Sequence, residues 1–139
     1  MEKTVDITQP VVHLIRKKME YELKPVVRGY ANRTLYINLD NETILEKPVT
    51  EQMKRVFTGG RGFGLWLLWN AVKKEAKWDS NENELIITGG PIGGITQYPG
   101  SGKATVVTVS PLTHSVIDSN SGGYFGPYLK FSGFDALEI

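Results

Sequence analysis

A segment in the glycine-rich half of the sequence combines residue types suited to binding a large polar ligand. It runs from Asp118 to Gly126 as Asp-Ser-Asn-Ser-Gly-Gly-Tyr-Phe-Gly. Glycines let a ligand approach the backbone closely, and the helix predicted after Gly123 would add a partial positive charge. Asn120 offers a side-chain amide, and its backbone carbonyl could bind a hard cation such as Mg²⁺. We therefore expect an extended, phosphate-bearing ligand here.

A cation precedes this segment in a stretch that is poor in charge. Only three charged residues, Lys103 among them, lie between positions 85 and 134, whereas ten of the 15 glycines lie between positions 89 and 133. Lys103 is therefore a candidate partner for an anionic ligand. A buried β core joined by glycine turns would have the same composition, so composition alone leaves both interpretations open.

Two glycine-rich stretches are similar to nucleotide-binding loops but lack the required spacing. The stretch from Gly60 to Gly64 has its third glycine one residue too early for a dinucleotide fingerprint, and a helix is predicted before it. Around residues 99–104, Gln97 stands where a P-loop needs its first glycine, and Ala104 stands where it needs Ser or Thr. We expect neither a Rossmann site nor an ATPase. A helix–helix turn explains the first stretch, and an anion site at the following helix start, beside Arg61, is the alternative.

The composition excludes several kinds of protein. The 139 residues include no cysteine and two histidines, so this chain's own thiolates hold no disulfide, nucleophile or iron–sulfur cluster. The formal net charge of +1 gives no reason to expect nucleic acid or a membrane surface as a partner. No apolar run approaches the roughly 20 residues that span a bilayer, and no signal peptide is visible, so we expect a cytoplasmic protein. His114, with Asp118 as its nearest carboxylate in sequence, is interpreted as a loop histidine.

The N-terminal part of the sequence predicts a helical extension followed by a hairpin. Apolar residues recur at helical spacing from Val12 to Leu23, and Pro25 ends the pattern, which predicts an amphipathic helix within an extension of residues 1–28. Alternation around the polar turn at 40–42 predicts a β-hairpin over residues 34–46.

Two helices and three strands are predicted next. Thr50 should cap a helix ending at Phe57, and a second helix should run from about Phe63 to Val72. The predicted apolar side of the second helix consists of Leu65, Leu68, Trp69 and Val72. Strands are expected at 85–88, 104–108 and 115–117.

The sequence closes with a predicted helix over 124–131 and a strand over 136–139. Because a strand needs a neighbour, we interpret Ile139 as a cut inside a larger fold or as an edge that another chain completes.

The order of the glycine motifs resembles one known family. GGRGFG, NELIITGGPIGG, GSGKATVVTVSPLT and SNSGGYFGPYLKFSGFDA follow one another as in the N-terminal domain of the aldehyde ferredoxin oxidoreductase family. The resemblance extends from about Gly29 to Ile139 and leaves residues 1–28 outside. It implies an α+β fold: a β-rich, truncated N-terminal domain over 29–139, with the helical extension before it.

The resemblance also implies a cofactor and the residues that bind it. Family members are tungsten or molybdenum enzymes with two pterins, so Lys103, Asn120, Ser121, Gly122 and Gly123 are expected to contact a tungstopterin. The carbonyl of Asn120 would help to hold the Mg²⁺ between the pterin phosphates. Lys103 replaces a usual arginine, and a single ammonium offers less fixed geometry than a planar guanidinium. In addition, Tyr128 replaces a usual carboxylate, and His114 a small residue.

The implied enzyme needs more than this chain. Its [4Fe–4S] cluster would be bound by cysteines in remaining domains or in a partner subunit, and a ferredoxin-like protein would accept the electrons. The implied activity is oxidation of aldehydes to carboxylic acids, with this chain inactive alone. Two alternatives stay open: a family member acting on an aromatic acyl thioester, and a non-catalytic binding or assembly protein that keeps the fold.

Overall fold

Six strands form one mixed sheet in the computed structural model, which describes residues 14–139. The strands are β1 (Arg33–Asn38), β2 (Thr43–Pro48), β3 (Ile86–Thr88), β4 (Ala104–Val109), β5 (Val116–Ser121) and β6 (Ala136–Glu138). Their order across the sheet is β2-β1-β6-β3-β4-β5. The β1–β6 pair is parallel and every other pair is antiparallel. The expected α+β fold is confirmed.

Three helices connect the strands: α1 (Glu51–Phe57), α2 (Arg61–Ala71) and α3 (Phe125–Phe131). The predicted cap of α1 is confirmed, because the Thr50 side chain accepts a hydrogen bond from the Met53 amide at 3.1 Å. Between α1 and α2 the chain turns at Gly60, whose φ of +55° lies in the left-handed region. The glycine turn expected between two helices is therefore present.

Helix α2 packs closely on the sheet through a glycine. A Cβ added at Gly64 would lie 2.4 Å from a methyl group of Val107 in β4. This close approach brings Leu68 against Ile86 and Val107 in one buried cluster. A second cluster joins Val49, Met53 and Phe63.

The predicted apolar side of α2 was partly wrong. Leu68 is 1% exposed, but Trp69 is 83% and Leu65 39% exposed. The buried positions are instead Phe63, Gly64 and Leu68. The glycine contact explains the difference, because it turns the face that contains residues 64 and 68 toward the sheet.

Strand β6 lies in the interior of the sheet. It pairs with β1 on one side and with β3 on the other. The interpretation of this strand as an edge completed by another chain was therefore wrong. The open edges of the described sheet are β2 and β5.

The helix predicted before Pro25 is absent from its described part, since residues 14–26 contain no helix. The prediction for residues 12 and 13 lies outside the described residues. The apolar pattern does not produce a helix here: Ile15 and Leu23 remain 72% and 64% exposed, and a short helix without a buried face is marginal in water.

The segment before Pro25 is held by tertiary contacts instead. Arg33 donates a hydrogen bond to the Glu22 carbonyl at 2.8 Å and lies 5.3 Å from the Tyr21 ring centre.

A buried ion pair fixes the chain where α3 leads into β6. Lys130 and Asp135 are 5% and 1% exposed and bind each other. The Asp135 carboxylate also accepts hydrogen bonds from the Ala31 and Asn32 amides at 3.0 and 2.7 Å, and Lys130 donates to the Gly29 carbonyl at 2.7 Å. Because both charges are partnered, the pair ties α3 and β6 to the segment before β1.

Candidate cofactor-binding site

The five residues expected at the site lie together at one end of the sheet. Ala104 at the start of β4 pairs with Ser121 at the end of β5, so Lys103 and Gly122 leave the sheet side by side. The two connecting loops also touch, since a Cβ added at Gly102 would lie 2.6 Å from the Gly123 carbonyl oxygen. All five residues are exposed: Lys103, Asn120, Ser121, Gly122 and Gly123.

Asn120 lies in β5, which extends to Ser121 and so passes the end of the strand predicted over 115–117. It pairs with Thr105 of β4, whose hydroxyl lies 3.4 Å from the Asn120 side-chain oxygen. Strand alternation places Asn120 and Asp118 on one face of β5. That face bears α2, because Val107, the partner of Asp118, packs against Leu68.

The outer edge of β5 is open. Among residues 14–139 this strand pairs only with β4, so its other row of backbone amides and carbonyls has no neighbouring strand. A ligand bound here can therefore be held by backbone groups as well as by the Asn120 amide. Helix α3, seven residues long, begins directly after this edge at Phe125.

The glycine pair after β5 has no close packing neighbour within residues 14–139. A Cβ added at Gly122 or Gly123 would meet no atom of these residues within 4 Å. Gly123 has φ +98°, so its backbone conformation requires glycine, but Gly122 has no such conformation. Neither packing nor backbone geometry among the described residues explains a glycine at position 122. Close approach of a ligand or of another domain would account for it.

Within the described residues, the charged side chains at this end of the sheet are Lys103, Arg61 and Asp118. Lys103 takes part in no ion pair within residues 14–139. Arg61, the first residue of α2, binds Asp118 with Nη2 2.8 Å from Oδ2. Arg61 is therefore paired with a carboxylate of this chain and does not need the bound anion that the sequence analysis considered at the start of α2. The net charge of Lys103, Arg61 and Asp118 together is +1.

His114 lies at the other end of the β4–β5 hairpin, in the turn before β5. It is exposed, and its φ of +53° is a conformation that favours glycine. Asp118 pairs with Arg61 instead of orienting this histidine. The interpretation of His114 as a loop residue outside the site agrees with this placement.

Sequence reasoning assigned no role to a second glycine pair at the same end of the sheet. Gly89 and Gly90 follow β3, and a Cβ added at either would meet no atom of the described chain within 4 Å. Their position is set by the β3–β4 register, in which Thr88 pairs with Thr105. In the sequence, this pair is recognisable only as two glycines directly after a predicted strand, and an ordinary turn has the same pattern.

The described part of the chain contains neither clustered metal-ligating side chains nor a helix that could span a membrane. No group of three or more His, Cys, Asp or Glu residues among residues 14–139 could hold a metal ion. No helix in this range is long and apolar enough to cross a membrane.

Comparison with known proteins places this chain in a family. A model of the aldehyde ferredoxin oxidoreductase N-terminal domain matches residues 34–139. The tungsten-containing aldehyde ferredoxin oxidoreductase of Pyrococcus abyssi is 41% identical over 111 residues, covering 80% of this chain and 18% of that protein. The WOR-like subunit of an aliphatic sulfonate oxidoreductase from Pyrococcus furiosus is 33% identical over 116 residues, with the same coverage.

A solved structure has the same fold. The active site complex BamBC of benzoyl coenzyme A reductase, bound to 1,5-dienoyl-CoA, matches with a TM-score of 0.75 and 30% identity, covering 79% of this chain and 17% of that one. The chain thus spans less than a fifth of the length of these relatives. The matched family model and the identities to its members show that this chain belongs to the aldehyde ferredoxin oxidoreductase family, as part of its N-terminal domain.

Proposed function

We propose that the end of the sheet formed by Lys103 and residues 120–123 holds part of a tungstopterin cofactor in a larger oxidoreductase. The observation that carries the proposal is Gly122, which is a glycine although neither its φ nor its surroundings require one. Two relatives of this chain are named tungsten-containing aldehyde ferredoxin oxidoreductases, which supports tungsten as the metal.

The residues present fit such a group. Open space above Gly122 and Gly123 allows close contact with a flat, extended cofactor, and the free edge of β5 supplies backbone donors and acceptors. The Asn120 amide can orient the ligand, and its carbonyl is our candidate ligand for Mg²⁺ beside the phosphates. Lys103, which forms no ion pair within residues 14–139, offers a positive charge for an anionic part of the cofactor. When bound, the cofactor supplies the two-electron chemistry, while this chain binds and orients it.

We further propose that the complete enzyme oxidises aldehydes to carboxylic acids and passes electrons to a ferredoxin-like acceptor. The names of the relatives support this activity. Because this chain has no cysteine, the [4Fe–4S] ligands would come from remaining domains or from a partner subunit. The chain alone would then be inactive.

A second candidate activity is reduction of an aromatic acyl thioester. It is favoured by the BamBC structure, whose ligand is a dienoyl-CoA. Assays of the purified complete enzyme with aldehydes and with aromatic acyl-CoA separate the two activities. Absence of both activities in a tungsten-free protein would favour the non-catalytic alternative.

Two substitutions test the site itself. Gly122→Val fills the open space and Asn120→Ala removes the amide, so both should lower the tungsten and pterin content of the assembled enzyme several-fold. Neither should change its fold, because both residues are exposed. Metal content is measured by mass spectrometry, and folding by circular dichroism.

Matched controls come from the same chain. Asn81→Ala removes an exposed asparagine outside the site and should leave tungsten content unchanged. Lys103→Arg, which restores the residue usual in the family, should retain the cofactor. Full tungsten content in both Gly122→Val and Asn120→Ala would refute the site.

A further inference from the structure

Strand β5, which contains Asn120, lies at the edge of the sheet and is paired on one side only within residues 14–139. It has β4 as its only neighbour among residues 14–139, and five of its six residues are exposed. Edge segments with few buried contacts open locally at low free-energy cost. A cofactor that depends on the position of Asn120 therefore needs something that restrains this strand.

The Arg61–Asp118 ion pair supplies such a restraint. Asp118 lies two residues before Asn120 on the same face of β5, and its carboxylate lies 2.8 Å from the Arg61 guanidinium. It is the ion pair that links β5 to another element in the described chain. The Asp118 side chain is only 27% exposed, which limits solvent screening on that side of the pair.

Arg61 is itself held to the centre of the sheet. The preceding residue, Gly60, donates its amide to the Gly89 carbonyl at 2.9 Å and accepts a hydrogen bond from the Thr88 hydroxyl at 2.6 Å. The start of α2 is thus fixed to the end of β3. The ion pair continues this connection across β4 to the edge strand.

We propose that Arg61 and Asp118 are positioning residues that hold β5, and with it Asn120, in the geometry that binds the cofactor. This inference rests on the proposed function of the site. Neither residue needs to touch the cofactor, because the pair acts through the strand.

The test compares R61Q, D118N and the reversed pair R61D–D118R in the complete, assembled enzyme. Partly exposed ion pairs change equilibria by a small factor, so each single variant should raise hydrogen exchange of the β5 amides up to about fivefold. Tungsten should be lost faster on dialysis in both. The reversed pair should recover much of the protection and of the metal. R16Q, which breaks the exposed Arg16–Glu42 pair elsewhere, is the control and should change neither quantity.

The outcomes separate this inference from the proposed function. Unchanged exchange of β5 in R61Q and D118N would overturn the positioning role, even if tungsten were lost, since Arg61 would then act by direct contact. If Asn120→Ala and Gly122→Val keep their tungsten, the proposed site itself is refuted, regardless of the hydrogen exchange measured for β5. Loss of tungsten in those two variants, with normal exchange and metal in R61Q and D118N, would refute only the positioning role.

Discussion

At the scale of single residues, Glu84 has an unusual environment, because its carboxyl group is partly buried and lies near a second carboxylate, that of Glu138. The Oε2 atom of Glu84 is buried with no hydrogen-bond partner within residues 14–139. It shares a pocket of about 410 Å³ with Glu138 and Lys47, which pair at 2.7 Å. Burial raises the pKa of Glu84 to about 7, Lys47 partly offsets this, and the Glu138 charge adds to it.

This raised pKa predicts a stability that depends on pH. The folded protein holds the Glu84 proton more tightly than the unfolded chain does, so the stabilisation is complete below about pH 4.5 and is lost as pH rises to about 7. Glu84→Gln should remove this decline and should gain about 1–2 kcal/mol relative to the native protein at high pH, after discounting for solvent screening. Urea denaturation at about pH 5 and about pH 8 measures the difference.

Glu82→Gln is the matched control for Glu84→Gln. Glu82 is a neighbouring carboxylate that pairs with Lys73 at the surface, and its substitution should leave the pH dependence intact. Equal pH dependence in Glu84→Gln and in the native protein would show that Glu84 does not titrate near pH 7.

The site residues show what sequence does and does not predict at this scale. The grouping of Lys103 with residues 120–123 was predicted through a family resemblance, and the register of β4 and β5 accounts for it. The partner of Asp118 was not predictable, because Arg61 is 57 positions away in sequence (118 − 61) and meets it only through the packing of α2 on the sheet.

At the scale of elements, the contact of α2 with β4 depends on the absence of a side chain at Gly64. The 2.4 Å separation between an added Cβ and Val107 leaves no room for a methyl group. Gly64→Ala should therefore destabilise the fold by ~1–3 kcal/mol, although alanine is the better helix former. Urea denaturation measures this change.

Two further variants check the reason for this loss. Val107→Ala should cost less in the Gly64→Ala background than alone, because the smaller side chain makes room for the new methyl group. Trp69→Ala, on the exposed side of the same helix, should change stability by no more than about 0.5 kcal/mol. If Gly64→Ala is as stable as the native protein, the helix does not lie as close to β4 as described.

Elements with strong local signals were predictable, and elements decided by tertiary contacts were not. The hairpin around residues 40–42 and the Thr50 cap follow from alternation and from a side chain that bonds within three residues. The segment before Pro25 has a helical pattern but lacks a surface to bury it, and Arg33 binds its backbone instead. The interior position of β6 depends on long-range pairing with β1 and β3, which local pattern does not contain.

At the scale of the whole molecule, the candidate site and the open edge of β5 lie exposed at one side of the described sheet. Aromatic side chains continue this surface: Tyr124, just before α3, is 78% exposed, and Tyr128 in α3 is 65% exposed. The chain also spans only 18% of its tungsten-containing relative. These features agree with a domain that works against other parts of an enzyme.

Size-exclusion chromatography of the protein from its native source, with tungsten, molybdenum, iron and pterin assayed across the fractions, tests directly whether this chain holds the cofactor of a larger oxidoreductase. We predict that tungsten and pterin co-elute with this sequence at a mass well above 15.5 kDa, together with iron. A metal-free and pterin-free peak near 15.5 kDa would contradict the claim that this chain holds the cofactor of a larger oxidoreductase.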